Sequence, residues 1–245
     1  MGQGIKNKCK DVIELANLTR DYLLFNYLHD GEDKHRLYQK IGYIFRHYID
    51  DDKFLEKKYL SSLNRIENQI TQDLLMCLKC DPSCNSEEEV VLCYPGYQAL
   101  MFYRIAHLLF EMNYKIEARI ISEETHSKTG IDIHPGALIS EGVFIDHGTG
   151  VVIGETTIIE KGVKIYQGVT LGASNLSKGC LLKGKKRHPT IKENVTLYAD
   201  CKILGGETII GRNSVIGSGV TVTDSIGDDK VVLMETKLIV KDKNK

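Results

Sequence analysis

Three short stretches in the second half of this 245-residue chain set an acid or a guanidinium close to histidine. They are Asp132-Ile133-His134-Pro135, Ile145-Asp146-His147-Gly148 and Lys186-Arg187-His188-Pro189. A carboxylate near an imidazole can hold it in one tautomer and raise its basicity, which is what a general base needs. His147 follows Asp132 by 15 residues and has a second acid, Asp146, directly before it. Arg187 could grip a carboxylate through two parallel hydrogen bonds. His134, beside Pro135, reads as a structural residue at a turn.

Other chemistries have less support. Histidines 134, 147 and 188 invite comparison with zinc enzymes of the γ-carbonic anhydrase type, but no His-x-x-x-x-His pair is present and no metal is expected. No Gly-x-Ser-x-Gly nucleophile turn and no Gly-x-x-x-x-Gly-Lys-Ser/Thr phosphate loop occurs. The seven cysteines are odd in number and form no framework, so they read as reduced thiols. Four of them cluster: Cys77, Cys80, Cys84 and Cys93. Cys77-x-x-Cys80 could begin a zinc site, but no second pair follows at a usual distance, and a thiol-rich helix end with its loop is the simpler reading.

The elements that must position these residues change character near residue 130. Of 22 glycines, 17 lie from Gly130 to Gly227. Before them the apolar residues keep a helical period, as in Tyr97, Leu100, Met101, Ile105, Leu108, Leu109 and Met112. Segments 35–49 and 54–79 read the same way. The acidic runs at 50–53 and 86–89 read as helix starts or solvated turns.

After residue 130 the period is six. Ile133, Ile139, Ile145 and Val151 form one series; the register then slips by two to Ile153, Ile159, Ile165 and Leu171. Ile191, Leu197 and Ile203 follow, then Ile210, Ile216 and Val222 after a seven-residue step. A six-residue repeat marks a parallel β-helix. Each unit is a short strand plus a turn, three units make a coil, and only stacked coils bury the inward aliphatic side. The expected class is α+β: an α-helical domain over 1–130, a β-helix over 131–227, and a tail over 228–245. An excursion over 173–188, rich in Lys, Gly and Ser, leaves the wall between two coils, and such excursions are commonly functional.

A net charge of −1 gives no global field for nucleic acid or for a membrane surface. No apolar stretch reaches the length of a membrane span. The opening Met1-Gly2-Gln3-Gly4-Ile5-Lys6 lacks a signal-peptide core and has Lys6 where myristoylation needs Ser or Thr. A cytoplasmic protein is expected.

The runs Asp132-Ile-His-Pro, Ile145-Asp-His147-Gly-Thr-Gly-Val-Val-Ile-Gly-Glu155, Gln167-Gly-Val-Thr-Leu-Gly172, Arg187-His-Pro189 and Lys202-Ile-Leu-Gly205 together resemble serine acetyltransferases over about residues 81–222. The resemblance implies a left-handed β-helix, against the usual crossover hand, built as a homotrimer or a dimer of trimers through the helical domain. It implies His147 as catalytic base with Asp132 as its partner, and serine binding by Asp81, Asp146, Arg187 and His188. Acetyl-CoA would be the co-substrate, running along the coils near Gly172 and Ala199, with Lys183, Lys185 and Lys186 either drawing its phosphates or standing as a solvated charge run. The implied activity is O-acetylation of L-serine in cysteine synthesis. An acetyltransferase for a sugar, homoserine or xenobiotic hydroxyl, or a non-catalytic β-helix scaffold, are the alternatives; the Asp81, Asp146 and Arg187 set argues against a sugar. The excursion departs from many relatives at Cys180-Leu181-Leu182. Many relatives also end in an Ile that inserts into the sulfhydrylase of the pathway. Here the chain ends Lys241-Asp-Lys-Asn-Lys245, and docking to that enzyme is doubtful on this ending.

Overall fold

In the computed structural model, which describes residues 2–28, 33–174, 183–235, 237 and 239–240, seven α-helices precede a run of short parallel strands. The helices are α1 (Gly2–Leu23), α2 (Phe25–Leu28), α3 (Lys34–Ile44), α4 (Lys53–Cys80), α5 (Glu87–Cys93), α6 (Pro95–Glu111) and α7 (Lys115–Thr129). Both acidic runs start helices. Asp52 caps α4 by accepting from the Phe54 N–H at 2.7 Å, and Ser86 caps α5 by accepting from Glu89 N–H at 3.1 Å. The segment read as helical over 35–49 ends in a π-helical turn, Phe45–Ile49. None of these helices is long and apolar enough to cross a membrane.

The strands are β1 (Asp132–Ile133), β2 (Leu138–Ile139), β3 (Phe144–Ile145), β4 (Val152–Ile153), β5 (Ile158–Ile159), β6 (Lys164–Ile165), β7 (Thr170–Gly172), β8 (Thr190–Ile191), β9 (Thr196–Leu197), β10 (Lys202–Leu204), β11 (Ile209–Ile210), β12 (Val215–Ile216), β13 (Thr221–Val222) and β14 (Val231–Val232). They sort into three parallel walls. Wall A is β1-β4-β7-β10-β13, wall B is β2-β5-β8-β11, and wall C is β3-β6-β9-β12-β14. Every third strand pairs with its predecessor, so this is the expected left-handed parallel β-helix. On each two-residue strand the second residue points inward. Ile133, Ile153, Leu171, Ile203 and Val222 stack inside wall A.

The register slip has a structural meaning. Val151 does not belong to the first series: it is a buried corner residue, and the inward residue of β4 is Ile153. Eight residues separate Ile145 from Ile153 where the step is six, so the corner from wall C to wall A carries two extra residues. The excursion leaves the corner from wall A to wall B, between β7 and β8; its Cys180-Leu181-Leu182 stretch lies outside the described residues, as does 241–245. The last rung extends past residue 227, because Val231–Val232 continues the alternation and pairs with Val215–Ile216.

Two cores meet at α6. Ala99, Leu100 and Tyr103 belong to the β-helix core and close its first coil, while Tyr97, Met101 and Ile105 belong to the helical core. Phe144 points outward from wall C and is fully buried in the helical core. The Tyr103 hydroxyl donates to Ala137 O at 2.6 Å. Arg104 donates to both oxygens of Asp73 at 2.7 and 2.9 Å and to Ser140 O at 2.9 Å, and Asp73 also accepts from Val143 N–H. These bonds fix the helices against the first coil.

Candidate active site

The two extra residues at the first corner are what place His147 outside the wall. At the equivalent corners Gly168, Asp200 and Gly219 take the positive φ that turns the chain. At the first corner the longer turn has His147 itself at φ 55, followed by Gly148 at φ 80. A non-glycine residue in the left-handed region costs energy, and such residues concentrate at functional sites. The imidazole projects into solvent, with a side chain 73% exposed, and its Nε2 stands 3.7 Å from Asp146 Oδ1.

The helical domain reaches this corner through Gly96. A Cβ on Gly96 would sit 2.0 Å from Ile145 O, so only glycine lets the start of α6 rest on the strand that leads into Asp146 and His147. The end of α4 meets the same place. Asp81, directly after α4, accepts from Ser83 N–H at 2.8 Å, from the Ser83 hydroxyl at 2.6 Å and from the Tyr94 hydroxyl at 2.6 Å. Those bonds hold its carboxyl below the usual carboxylate range, led by Ser83 and Tyr94 and assisted by the nearby His147. Asp81, Asp146 and His147 thus share one corner. Tyr166 and Tyr198 continue it on the next coils, stacked at 5.1 Å, and the Oε1 of Gln167 is buried there without a donor among the described residues. Ala199 follows Tyr198 on this corner.

Asp132 begins β1 on wall A, beside this corner. No hydrogen bond or ion pair joins it to His147 among the described residues; the acid paired with the imidazole is Asp146.

Arg187 and His188 lie elsewhere, on the corner from wall A to wall B. Arg187 is paired with Glu155, and its Nη1 is buried with no acceptor among the described residues. Glu155 is held below the ordinary carboxylate range chiefly by that bond. His188 is 8% exposed. Its Nδ1 accepts from Thr156 N–H at 3.1 Å, while the Thr156 hydroxyl accepts from the backbone N–H groups of Arg187 and His188 at 2.9 and 3.1 Å. Burial first, then the charges of Arg187 and Lys186, push the His188 imidazole down to about 4. The ring lies where a Cβ on Gly154 would come within 2.3 Å of its Nε2, so glycine is needed at that position too. His134 stands at the same corner, accepts from Gly136 N–H at 3.0 Å and packs on Phe110, in line with a structural role. Lys186 turns its amine onto the backbone carbonyls of His188 and Pro189; Lys183, Lys185 and Lys186 are all exposed. Gly172 ends β7 at this edge of wall A.

The expected residues therefore form two groups. His147, Asp146, Asp81 and Ala199 stand at one edge of wall A; Arg187, His188 and Gly172 stand at the other. From Val151 to Glu155 the backbone runs four steps, about 13 Å at roughly 3.3 Å per residue. Glu155 and Thr156 escaped the reading of the sequence, although the repeat carries the signal. Ile159 and Ile191 are wall-B partners, 32 residues apart, and the same offset carries Glu155 to Arg187 and Thr156 to His188. Tyr94 had no such signal. Cys77 is buried and its thiol is pushed up to about 12, first by burial, and Cys80, Cys84 and Cys93 are free thiols. Among the described residues no group of three or more His, Cys, Asp or Glu is placed to hold a metal.

No protein-family model matches the chain. Its sequence is 45% identical over 175 residues to a plasmid-encoded serine acetyltransferase of Synechococcus elongatus, covering 70% of this chain and 54% of that protein, so the match spans about half of that relative. It is 42% identical over 175 residues to the serine acetyltransferase of Helicobacter pylori, covering 71% of this chain and 98% of that one. Among solved structures, serine acetyltransferase 1 of Entamoeba histolytica in complex with L-cysteine superposes with a TM-score of 0.79 at 33% identity, over 90% of this chain and 86% of that one. The serine acetyltransferase of Neisseria gonorrhoeae in complex with serine superposes at 0.67 and 26% identity, over 90% and 95%. The helical domain and the three-walled coil thus recur together at substantial sequence identity, and the chain belongs to the serine acetyltransferase family.

Proposed function

We propose that this protein transfers the acetyl group of acetyl-CoA to the hydroxyl of L-serine, giving O-acetylserine and CoA, the first step of cysteine synthesis. The observation that carries the proposal is His147: an exposed imidazole on a two-residue insertion, held at positive φ with Asp146 and Asp81 at the same corner. His147 takes the proton of the serine hydroxyl as its oxygen attacks the thioester carbon. The C–O bond forms, the C–S bond breaks, and the imidazolium returns the proton to the departing sulfur. Asp146, with Asp132 on the adjoining strand, stabilises the imidazolium. Asp81 and Asp146 suit the substrate ammonium. Arg187, with a buried N–H in want of an acceptor, suits its carboxylate, and His188 lies beside it, neutral.

One serine cannot touch both edges of a wall about 13 Å wide. We therefore assign the working form to a homotrimer, in which the His147 corner of one copy faces the Arg187 corner of the next, so that acceptor and acetyl-CoA lie between chains. Exposed apolar residues on the outer faces of the walls, Leu138, Ile209 and Val152, support such packing. Gly172 and Ala199, small residues at the two edges, leave room for acetyl-CoA between neighbours. A dimer of trimers would use the helical domain.

The test is thiol release from acetyl-CoA with serine, homoserine and a panel of sugars, with the mass in solution measured alongside. Serine-dependent release is expected from a trimer or hexamer. Release with a sugar but not with serine, or activity in a monomer, would overturn the assignment.

A further inference from the structure

The helical side of the His147 corner contains a phenol that the proposed mechanism does not use. Tyr94 is the single residue between α5 and α6; it closes one helix and precedes Pro95-Gly96 of the other. Its hydroxyl donates to Asp81 Oδ2 at 2.6 Å, and Ser83 occupies Oδ1 with two more bonds. Two residues on, Gly96 rests on Ile145 O, next to Asp146 and His147. The chain of contacts runs without a gap from the end of α4, through Asp81 and Tyr94, to the corner that bears the imidazole.

We propose that Tyr94 is a positioning residue: its hydroxyl, with Ser83, fixes the rotamer of Asp81 and so the place where the substrate ammonium group is taken up. This rests on the serine reading above and deepens it. Asp81 opens the six-residue loop 81–86 between α4 and α5, where a carboxylate left to itself would sample several rotamers. Three donors converging on its two oxygens leave one orientation. A binding group ordered before the ligand arrives does not lose that freedom on binding. The phenol keeps its proton, because burial and the bond to Asp81 both push its ionisation far above the ordinary tyrosine range, so it donates throughout the working pH range. The groups facing Asp81 are Cys77 from α4, Ser83 from its own loop, Tyr94 between α5 and α6, and His147 and Tyr166 from the β-helix.

The test uses the full-length protein with Tyr94→Phe, which keeps the ring and removes the hydroxyl. A hydrogen bond to a charged group is involved, so the serine KM should rise by about tenfold. The kcat should stay within about twofold and the KM for acetyl-CoA should not move, the pattern of lost ground-state binding. Melting temperature and oligomer mass, measured on the same sample, should match the parent. An unchanged serine KM in folded Tyr94→Phe overturns the proposal. So does a parallel loss of kcat, both KM values and stability, which is the mark of a merely structural tyrosine. A second measurement separates this from the serine reading. The 13C resonance of the Asp81 carboxyl, titrated in parent and variant, reports the bond without any turnover. If the parent releases no thiol with serine, the functional reading fails, and a titration midpoint that rises in Tyr94→Phe still upholds the clamp. A midpoint that does not move overturns it.

Discussion

Glu155 and Arg187 are partners across 32 residues, joined by an ion pair that anchors the returning end of the excursion to the coil below it. The pair holds one guanidinium edge and leaves Nη1 buried without an acceptor among the described residues. An arginine pre-set in this way needs little reordering to receive a carboxylate. Glu155→Ala should therefore raise the serine KM by about tenfold or more with a smaller change in kcat, since a charge-assisted bond of about 1.5–3 kcal/mol is lost. Steady-state kinetics with serine varied at saturating acetyl-CoA measures it, and an unchanged KM would show that Arg187 is positioned by the backbone alone.

Asp73 and Arg104 make a different kind of pair. Their side chains are 1% and 2% exposed, and they tie α4 and α6 to Ser140 and Val143 of the first coil. Removing one partner of a buried pair leaves the other charge without compensation, at a cost of about 3–5 kcal/mol. Asp73→Ala should lower the denaturation midpoint accordingly and should also reduce activity, because the same helices deliver Asp81. Replacing both residues with apolar ones should recover much of the stability. Urea unfolding of the single and double variants tests this; a single variant as stable as the parent would contradict it.

His188 gives a pH dependence with a defined sign. Its folded imidazole titrates near 4, well below the ordinary value of 6.5, so it is neutral in the folded state at neutral pH. Above about pH 6.5 it is neutral in both states and its contribution to stability is fully present. Between about 6.5 and 4 the unfolded chain binds a proton that the folded chain refuses, so stability falls as acid is added. The protonated ring could no longer accept from Thr156 N–H. His188→Asn keeps an acceptor at that place and removes the titration. Melting temperature followed from pH 7 to pH 4 should fall less steeply for the variant than for the parent; parallel curves would refute it.

Much of this architecture could be read from the order of residues, and the reasons are physical. The coil was legible because one inward aliphatic per strand is the only apolar requirement of a wall, and Ile133, Ile139 and Ile145 meet it at fixed steps. Val151 misled because a corner residue can be as buried as a strand residue. The site residues were named largely through resemblance. Their division between two edges of wall A was not visible, since it depends on which corner each turn occupies, and that follows only once the insertion at 147–148 and the excursion are placed. Tyr94 and the Asp73–Arg104 pair were invisible for a plainer reason: no period links an α-helix to the coil it packs on, so those contacts exist only in three dimensions.

The insertion that lifts His147 off the wall also sets the terms for testing the base. Alanine at a position with φ 55 adds backbone strain to the loss of the imidazole, so a dead His147→Ala variant would leave two causes entangled. Asparagine tolerates the left-handed region, as Asn194 and Asn213 do at φ 59 and φ 57 on another corner of this coil. His147→Asn should therefore fold with a melting temperature close to that of the parent and bind serine with little change. It should lose about 10²–10⁴-fold in kcat, the usual scale of general-base catalysis. A variant retaining more than about a tenth of the parent's kcat would remove His147 as the base and turn attention to the carboxylates beside it.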